Sequence, residues 1–330
     1  MAYPISGTPY PAGSANPNPA YTGVFIPTLW SGKLIEKFYD ATVLAAIANT
    51  DYAGEISNQG DKVIIRTKPT LTINDYDANG EISVERPSSN TVELDIDKGK
   101  YFAAIVDDVM ETQADLNLMG MWADDASEQM KIAIDTDVLG NIAADVINNY
   151  PSGPAGNTGN QGAQAGRISG NLDMGTAGAA LQLVARNPQA GETEVIDAIL
   201  RAGQVLDEAN IPESGRWIIV PAWMAAMIKR SELRDASLTG DGTTMLRNGR
   251  LGMIDRFTLY ASNLLPYDAG DSANYIFAGH SHGLTFASQL TKMETIRAER
   301  TFGTIMRGLQ VYGYKVTDGT AIATLYASQA

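Results

Sequence analysis

The chain contains no cysteine among its 330 residues. That excludes disulfides, thiolate catalysis and thiolate metal sites. Histidine is almost as scarce: His280 and His282 are the two present, so zinc hydrolase chemistry has little to work with. Residues 1–32 carry no charged side chain, the first being Lys33. A secretory signal needs a basic start and an apolar run, and neither is there, so the chain is expected to be cytoplasmic when made. No stretch of 18 apolar residues occurs, which excludes a membrane-spanning helix. Also missing are the Gly-x-Ser-x-Gly elbow, the Walker A loop and the dinucleotide fingerprint. Positive charge is in short supply, with 24 Lys and Arg against 38 Asp and Glu, a net −14. A protein that grips phosphates wants the opposite sign. The acidity suits a surface lying beside nucleic acid without adhering, and it equally suits solubility alone.

What is present is ample apolar material, 44% of residues, enough for a sizeable core. Six of the fourteen prolines fall in residues 1–30, which form an arm without a fold of its own. Its Tyr3, Tyr10, Tyr21, Phe25 and Trp30 are unusual for a linker and predict order against a neighbour. From Leu29 to Asn49 the apolar residues Leu34, Ile35, Phe38, Leu44, Ala45 and Ile47 recur at helical spacing, with a break near Asp40.

Residues 60–106 switch to period two. Val63, Ile65, Leu71 and Ile73 share one face, with Arg66 and Lys68 on the other, and Val92, Leu94 and Ile96 alternate with Glu93, Asp95 and Asp97. Asn79-Gly80 predicts a two-residue hairpin turn. That turn would set Arg66 opposite Glu93, a pair contributing a few tenths to about 1 kcal/mol. Pro87 to Asn90 interrupts the return strand. Such a ribbon is marginal alone and needs a surface to lie on.

A long helix is predicted from Asp107 to Asn148, apolar at Met119, Ala123, Ala126, Met130, Ile134, Val138, Ile142 and Val146. Gly120 and Gly140 are points of bending, and Pro151 follows its end. Residues 151–180, rich in Gly, Asn and Gln, read as a surface loop, because no preceding strand or lysine-hydroxyl pair makes them a phosphate cradle. Residues 193–290 read as α/β. A helix spans Thr193 to Asn210, a buried strand Arg216 to Val220, a proline-initiated helix Pro221 to Ser231 and a polar loop Ser237 to Gly249. Strands follow at Met253 to Ala261 and Tyr275 to Phe277. The tail from Met293 to Tyr326 carries strand-like runs joined by a turn at Asp318-Gly319.

The candidates for chemistry have bland readings. His280-Ser281-His282 could share a face on a strand, but Gly279 and Gly283 predict a turn and no third ligand is near. Asp107-Asp108 and Asp124-Asp125 lie about 100° apart on a helix and do not face each other; they read as solvated, the first pair at a helix start. Lys229, Arg230, Arg234, Arg247 and Arg250 form the densest basic stretch and read as partners in ion pairs within or between subunits.

The order of arm, helix, long hairpin, long helix, α/β insertion and returning strands resembles the Hong Kong 97-type fold of tailed-phage capsid proteins. Four blocks carry the resemblance: KYFAAIVDDVMETQADLNL, AIDTDVLGNIA, LDEANIPESGRWIIVPAWMAAMIKRSELRD and LRNGRLGMIDRFTLYASNLLP. Together they are similar to the podovirus-like coat family, the block from Pro212 to Pro221 being the most specific. The resemblance implies an α+β chain. Residues 1–58 would be arm and first helix, 59–104 an extended loop across a neighbour, and 105–192 a peripheral domain with its spine helix. Residues 193–290 would be an axial domain and 291–330 the returning strands.

It further implies a non-enzymatic major capsid protein that self-assembles, as hexamers and pentamers, into an icosahedral shell around double-stranded DNA. No cofactor is implied. A scaffolding protein and a portal would take part in assembly in the bacterial host cytoplasm, and a decoration protein is compatible. The rival readings are a tail or decoration protein and a hydrolase on the α/β segment. The candidate interface residues are Arg66, Lys68, Tyr76, Glu93, Asp95, Arg234, Asp241, Arg247 and Arg250. Some relatives crosslink a loop lysine to a neighbour; Lys68, Lys98 and Lys100 lie in that region, but no acceptor is legible.

Overall fold

The computed structural model describes residues 39–40, 42–51, 62–66, 69, 71–76, 84–87, 91–113, 117–148, 159–231, 252–299 and 301–330. In chain order the elements are α1 (Leu44–Ile47), β1 (Lys62–Arg66), β2 (Thr91–Asp95), β3 (Lys98–Asp107), α2 (Asp108–Gln113) and α3 (Leu118–Asn148). Then come β4 (Leu181–Val184), β5 (Glu192–Glu194), α4 (Val195–Glu208), β6 (Arg216–Val220) and α5 (Ala222–Arg230). The chain closes with β7 (Met253–Ile254), β8 (Phe257–Ala261), β9 (Tyr267–Asp268), β10 (Ala273–His280), β11 (Leu284–Arg297), β12 (Gly303–Val316) and β13 (Ile322–Gln329).

The strands make three sheets. β1 and β2 form a ribbon, β11-β12-β3 a three-stranded antiparallel sheet, and the third runs β5-β4-β13-β10-β6-β8-β7 with β9 beside β10. The eight-stranded sheet has a core on each face. Ile218 and Val220 of β6, Ile276 and Ala278 of β10, and Leu325 of β13 point to one side, against α4 and α5. Trp217, Ile219, Phe277 and Ile322 point to the other, against Ile134, Val138, Leu139, Ile142 and Val146 of α3 and Tyr312, Tyr314 and Val316 of β12. A strand covered on both sides needs an unbroken apolar run, and all five residues of RWIIV are buried.

α4 forms because Val195, Ala198, Ile199, Ala202, Val205 and Leu206 make one buried stripe. Its end is a Schellman turn. Asn210 takes a left-handed φ of 58°, its N–H donates to the Asp207 carbonyl at 2.9 Å, and the Ile211 N–H to the Leu206 carbonyl at 3.0 Å. Pro221 sits at the N-cap of α5, one residue before its first turn.

Several expectations need correction. The helix expected over 29–49 is confined, among described residues, to Leu44–Ile47. It starts where the Val43 and Leu44 N–H groups donate to the buried Asp135 carboxylate at 2.6 and 3.2 Å. It ends because Asn49 turns aside to bridge Thr285. The long helix is two helices: α3 restarts at Asn117, whose side-chain oxygen caps the Gly120 N–H at 3.1 Å. Gly120 therefore belongs to a capped first turn. Met253 to Ala261 is a tight hairpin, not one strand, because Asp255 and Arg256 both adopt positive φ, 44° and 67°. Ser237 to Gly249 lies outside the described residues.

The ribbon register also differs. Arg66 faces Thr91 and Glu93 faces Ile64, two residues from the pairing that a turn at Asn79-Gly80 would impose. The cause is that, among the described residues, no continuous ladder carries a register down to Arg66. Among the described residues the pairing ends at Arg66 and Thr91, residues 71–76 and 84–87 form no strand, and the Thr72 N–H bonds the Glu85 carboxylate at 3.0 Å. Pro87 has no N–H to offer. Asn79-Gly80 itself lies outside the described residues.

Candidate subunit interface

The hairpin is fixed at its root. Leu94 and Ile96 pack with Val63, Ile65, Ala287 and Val311, burying the inward face of the ribbon on the three-stranded sheet. Immediately after it, the Lys98 Nζ donates to the Asp137 carboxylate of α3 at 3.1 Å and to the Tyr314 hydroxyl at 3.0 Å. Burial works against the ammonium, but the bonds to Tyr314 and Asp137 outweigh it and hold its pKa above the ordinary lysine value. The Tyr312 hydroxyl donates to the same carboxylate at 2.9 Å. Helix, ribbon root and sheet thus meet on one ion pair.

Toward the tip the covering stops. Ile73 is 91% exposed, Val84 88%, Tyr76 79% and Leu71 59%. Large apolar side chains this exposed are unusual on a surface left to water. A second such surface lies on one face of the three-stranded sheet. The register sets Ile105 beside Ile305 and Ile296, and Tyr101 beside Leu309. Ile105, Tyr101, Ile296 and Leu309 are all exposed, with the Arg307–Glu294 ion pair between the two rows.

Of the candidate interface residues, Arg66, Glu93, Asp95 and Tyr76 are exposed. Arg66 and Glu93 are not brought together: Glu93 takes Lys62 at 3.0 Å, an exposed pair worth about 0–1 kcal/mol. Lys68, Arg234, Asp241, Arg247 and Arg250 lie outside the described residues. Lys98, in the region of the crosslinking lysines, is held by Asp137 and Tyr314. His280 and His282 form a turn, the His282 N–H donating to His280 Nδ1 at 3.1 Å. Among the described residues no group of three or more His, Asp or Glu could hold a metal ion. Nor is any of their helices long and apolar enough to cross a membrane. Asp108 bonds Arg297 at 2.8 Å, and Asp125 accepts from Tyr39 at 2.9 Å. Lys229 and Arg230 end α5.

Sequence reasoning missed three residues that organise the chain. Asp137 binds the hairpin root, and Asp135 ties the segment before α1 to α3. Burial drives the Asp135 pKa upward against the two N–H groups it accepts from. The third is Arg216, whose side chain is 0% exposed and bonds Asp207 at 2.7 Å and the Pro212 and Ile211 carbonyls at 2.9 and 2.6 Å. A lone arginine opening an apolar strand was the available signal.

No curated protein is similar to this chain by sequence. A family model described as phage capsid protein matches residues 89–325. A solved structure from Mycobacterium phage Che8 is 26% identical, with a TM-score of 0.71 over 93% of this chain and 98% of that one. The capsid of cyanophage P-SCSP1u is 14% identical (TM-score 0.68, 93% and 94% covered). The mature capsid of bacteriophage PhiM1 is 12% identical (TM-score 0.65, 91% of each). The last two show the fold. With more than half of its length matched, the chain belongs to the phage capsid protein family, as a major capsid protein with the Hong Kong 97-type fold, a structural subunit of an icosahedral shell.

Proposed function

We propose that the subunits join as hexamers and pentamers by laying the hairpin of each copy across its neighbour, and that the finished shell encloses double-stranded DNA. The observation carrying this reading is the uneven hairpin: a root buried on its own chain and a tip whose Leu71, Ile73, Tyr76 and Val84 are bare. A projecting apolar element and a separate receptive face on one chain make a heterologous interface, which closes into rings. Residues 1–58 act as the arm and first helix, 59–104 as the extended loop, 105–192 as the peripheral domain, 193–290 as the axial domain and 291–330 as the returning strands. Arg66, Lys68, Tyr76, Glu93 and Asp95 serve the loop contact; Arg234, Asp241, Arg247 and Arg250 serve contacts around the symmetry axes. Assembly takes place in the bacterial host cytoplasm with a scaffolding protein and a portal, and a decoration protein is compatible. The subunit catalyses nothing, and its net charge of −14 keeps enclosed DNA from adhering.

The test is Ile73→Asp. An exposed substitution leaves folding within about 0.5 kcal/mol of wild type, while shells seen by electron microscopy and sedimentation are lost. Shells of normal yield and size from this variant would overturn the reading.

A further inference from the structure

The hairpin leaves the molecule across a particular spot on the three-stranded sheet. At that spot Gly313 of β12 stands opposite Ala287 of β11, the two smallest side chains side by side. One step further, the β11–β12 register slips between Ser288 and Leu290, the kind of bulge that bends a strand. A Cβ at Gly313 would lie 2.1 Å from the Asp95 carbonyl oxygen and 3.0 Å from the Ile96 Cα. The contact is therefore backbone on backbone, and no side-chain rotation could relieve it. Leu94 and Ile96 close over Ala287 and Val311 on either side of the crossing.

We propose that Gly313, with Ala287, is the positioning element that sets the direction in which the hairpin leaves the subunit, and through that direction the geometry of the shell. The proposal rests on the reading that the hairpin contacts a neighbour. The leverage follows from lengths. Asp95 and Lys98, the two fixed points of the root, are about 10 Å apart, and the outgoing side from Lys62, opposite Asp95, to Tyr76 reaches about 45 Å at ~3.3 Å per residue. A methyl at Gly313 must lift Asp95 by about 1 Å. Over a 10 Å base that tilts the ribbon by about 6° and moves Tyr76 by about 4–5 Å. Such a displacement takes an apolar side chain out of the recess it fills. The core against α4 and α5 contains no residue of β12, while Tyr312 and Tyr314, on either side of Gly313, belong to the other core.

The absence of cysteine makes a direct measurement clean. Spin labels are attached at Tyr76→Cys, exposed near the tip, and Gln129→Cys, exposed on α3, and the distance distribution is recorded in full-length subunits before assembly. Gly313→Ala is expected to shift the mean by at least about 3 Å in a subunit that still melts cooperatively, and to change particle diameter or yield. Should Gly313→Ala not fold, Ala287→Gly reports on the same element: it loosens the seat under Leu94 and Ile96 and is expected to broaden the distribution. A folded Gly313→Ala subunit with an unmoved distance, or an unbroadened Ala287→Gly, overturns the proposal. So does a moved hairpin that still builds wild-type particles. These failures are separate from that of the hairpin contact itself, which is read from Ile73→Asp.

Discussion

Asp207 holds two guanidiniums at once, Arg216 at 2.7 Å and Arg256 at 2.9 Å. Burial alone would raise its pKa, but the hydrogen bonds and charges of Arg216 and Arg256 outweigh that and hold it below the ordinary carboxylate value. A depressed carboxylate stabilises the fold above its unfolded pKa, and the contribution is lost as pH falls through the folded value. Asp207→Asn should therefore cost about 1–2 kcal/mol at neutral pH, a figure already reduced because the Asp207 side chain is 42% exposed. Urea midpoints of variant and wild type should converge as the solution is acidified below pH ~4; a gap of constant size would show that the ion pairs do not stabilise the fold. Little of this was legible beforehand. Asp207 and Arg216 sit nine residues apart in sequence, and only the Schellman turn that reverses the chain after α4 brings them into one plane. Lys98 and Asp137 are separated still further, and nothing local in either segment announces the other.

At the level of elements, the parts with internal periodicity were the readable ones. The stripe of α4, the continuous apolar run of β6 and the alternation of β1 and β2 each declare their burial in their own residues. Elements fixed by distant partners were misread. Asp255 and Arg256 carry no Asn-Gly or Gly signal, yet both stand in the left-handed region. Arg256 is held by Asp207 and by Glu213 at 2.8 Å, so tertiary ion pairs accompany a turn that local preference disfavours. The ribbon register failed for a similar reason: it was inferred from a turn, whereas it is set at the root by packing on another sheet. The α4 terminus offers a clean local test. Position 210 needs a positive φ, which asparagine tolerates, glycine takes freely and alanine resists. Asn210→Gly is expected to be neutral or up to about 0.5 kcal/mol stabilising, and Asn210→Ala destabilising by about 1 kcal/mol. Thermal midpoints in the reverse order would rule out the Schellman turn as the stop of α4.

For the whole molecule, charge and apolar surface act in opposition during assembly. Subunits of net charge −14 repel one another, while the bare hairpin tip and the exposed face of the three-stranded sheet attract. Salt screens the first over a Debye length of about 10 Å at 0.1 M and leaves the second intact. Assembly rate, followed by light scattering, is expected to rise between 0.05 and about 0.5 M NaCl. A falling rate would mean that ion pairs between subunits outweigh their mutual repulsion. The family and the α+β fold class were the most legible things of all, since they depend on sequence blocks and not on any single contact.

The place of β13 has one more consequence. This strand follows every other strand of its sheet along the chain, yet it lies inside the sheet, hydrogen-bonded to β4 on one side and to β10 on the other. While a nascent chain is still short of residue 322, β5-β4 and β10-β6-β8-β7 are two fragments with facing open edges, each flanked by half-formed cores. Synthesis alone cannot settle them in the order in which they emerge. The sheet cannot close until β13 has been made and takes its place between β4 and β10.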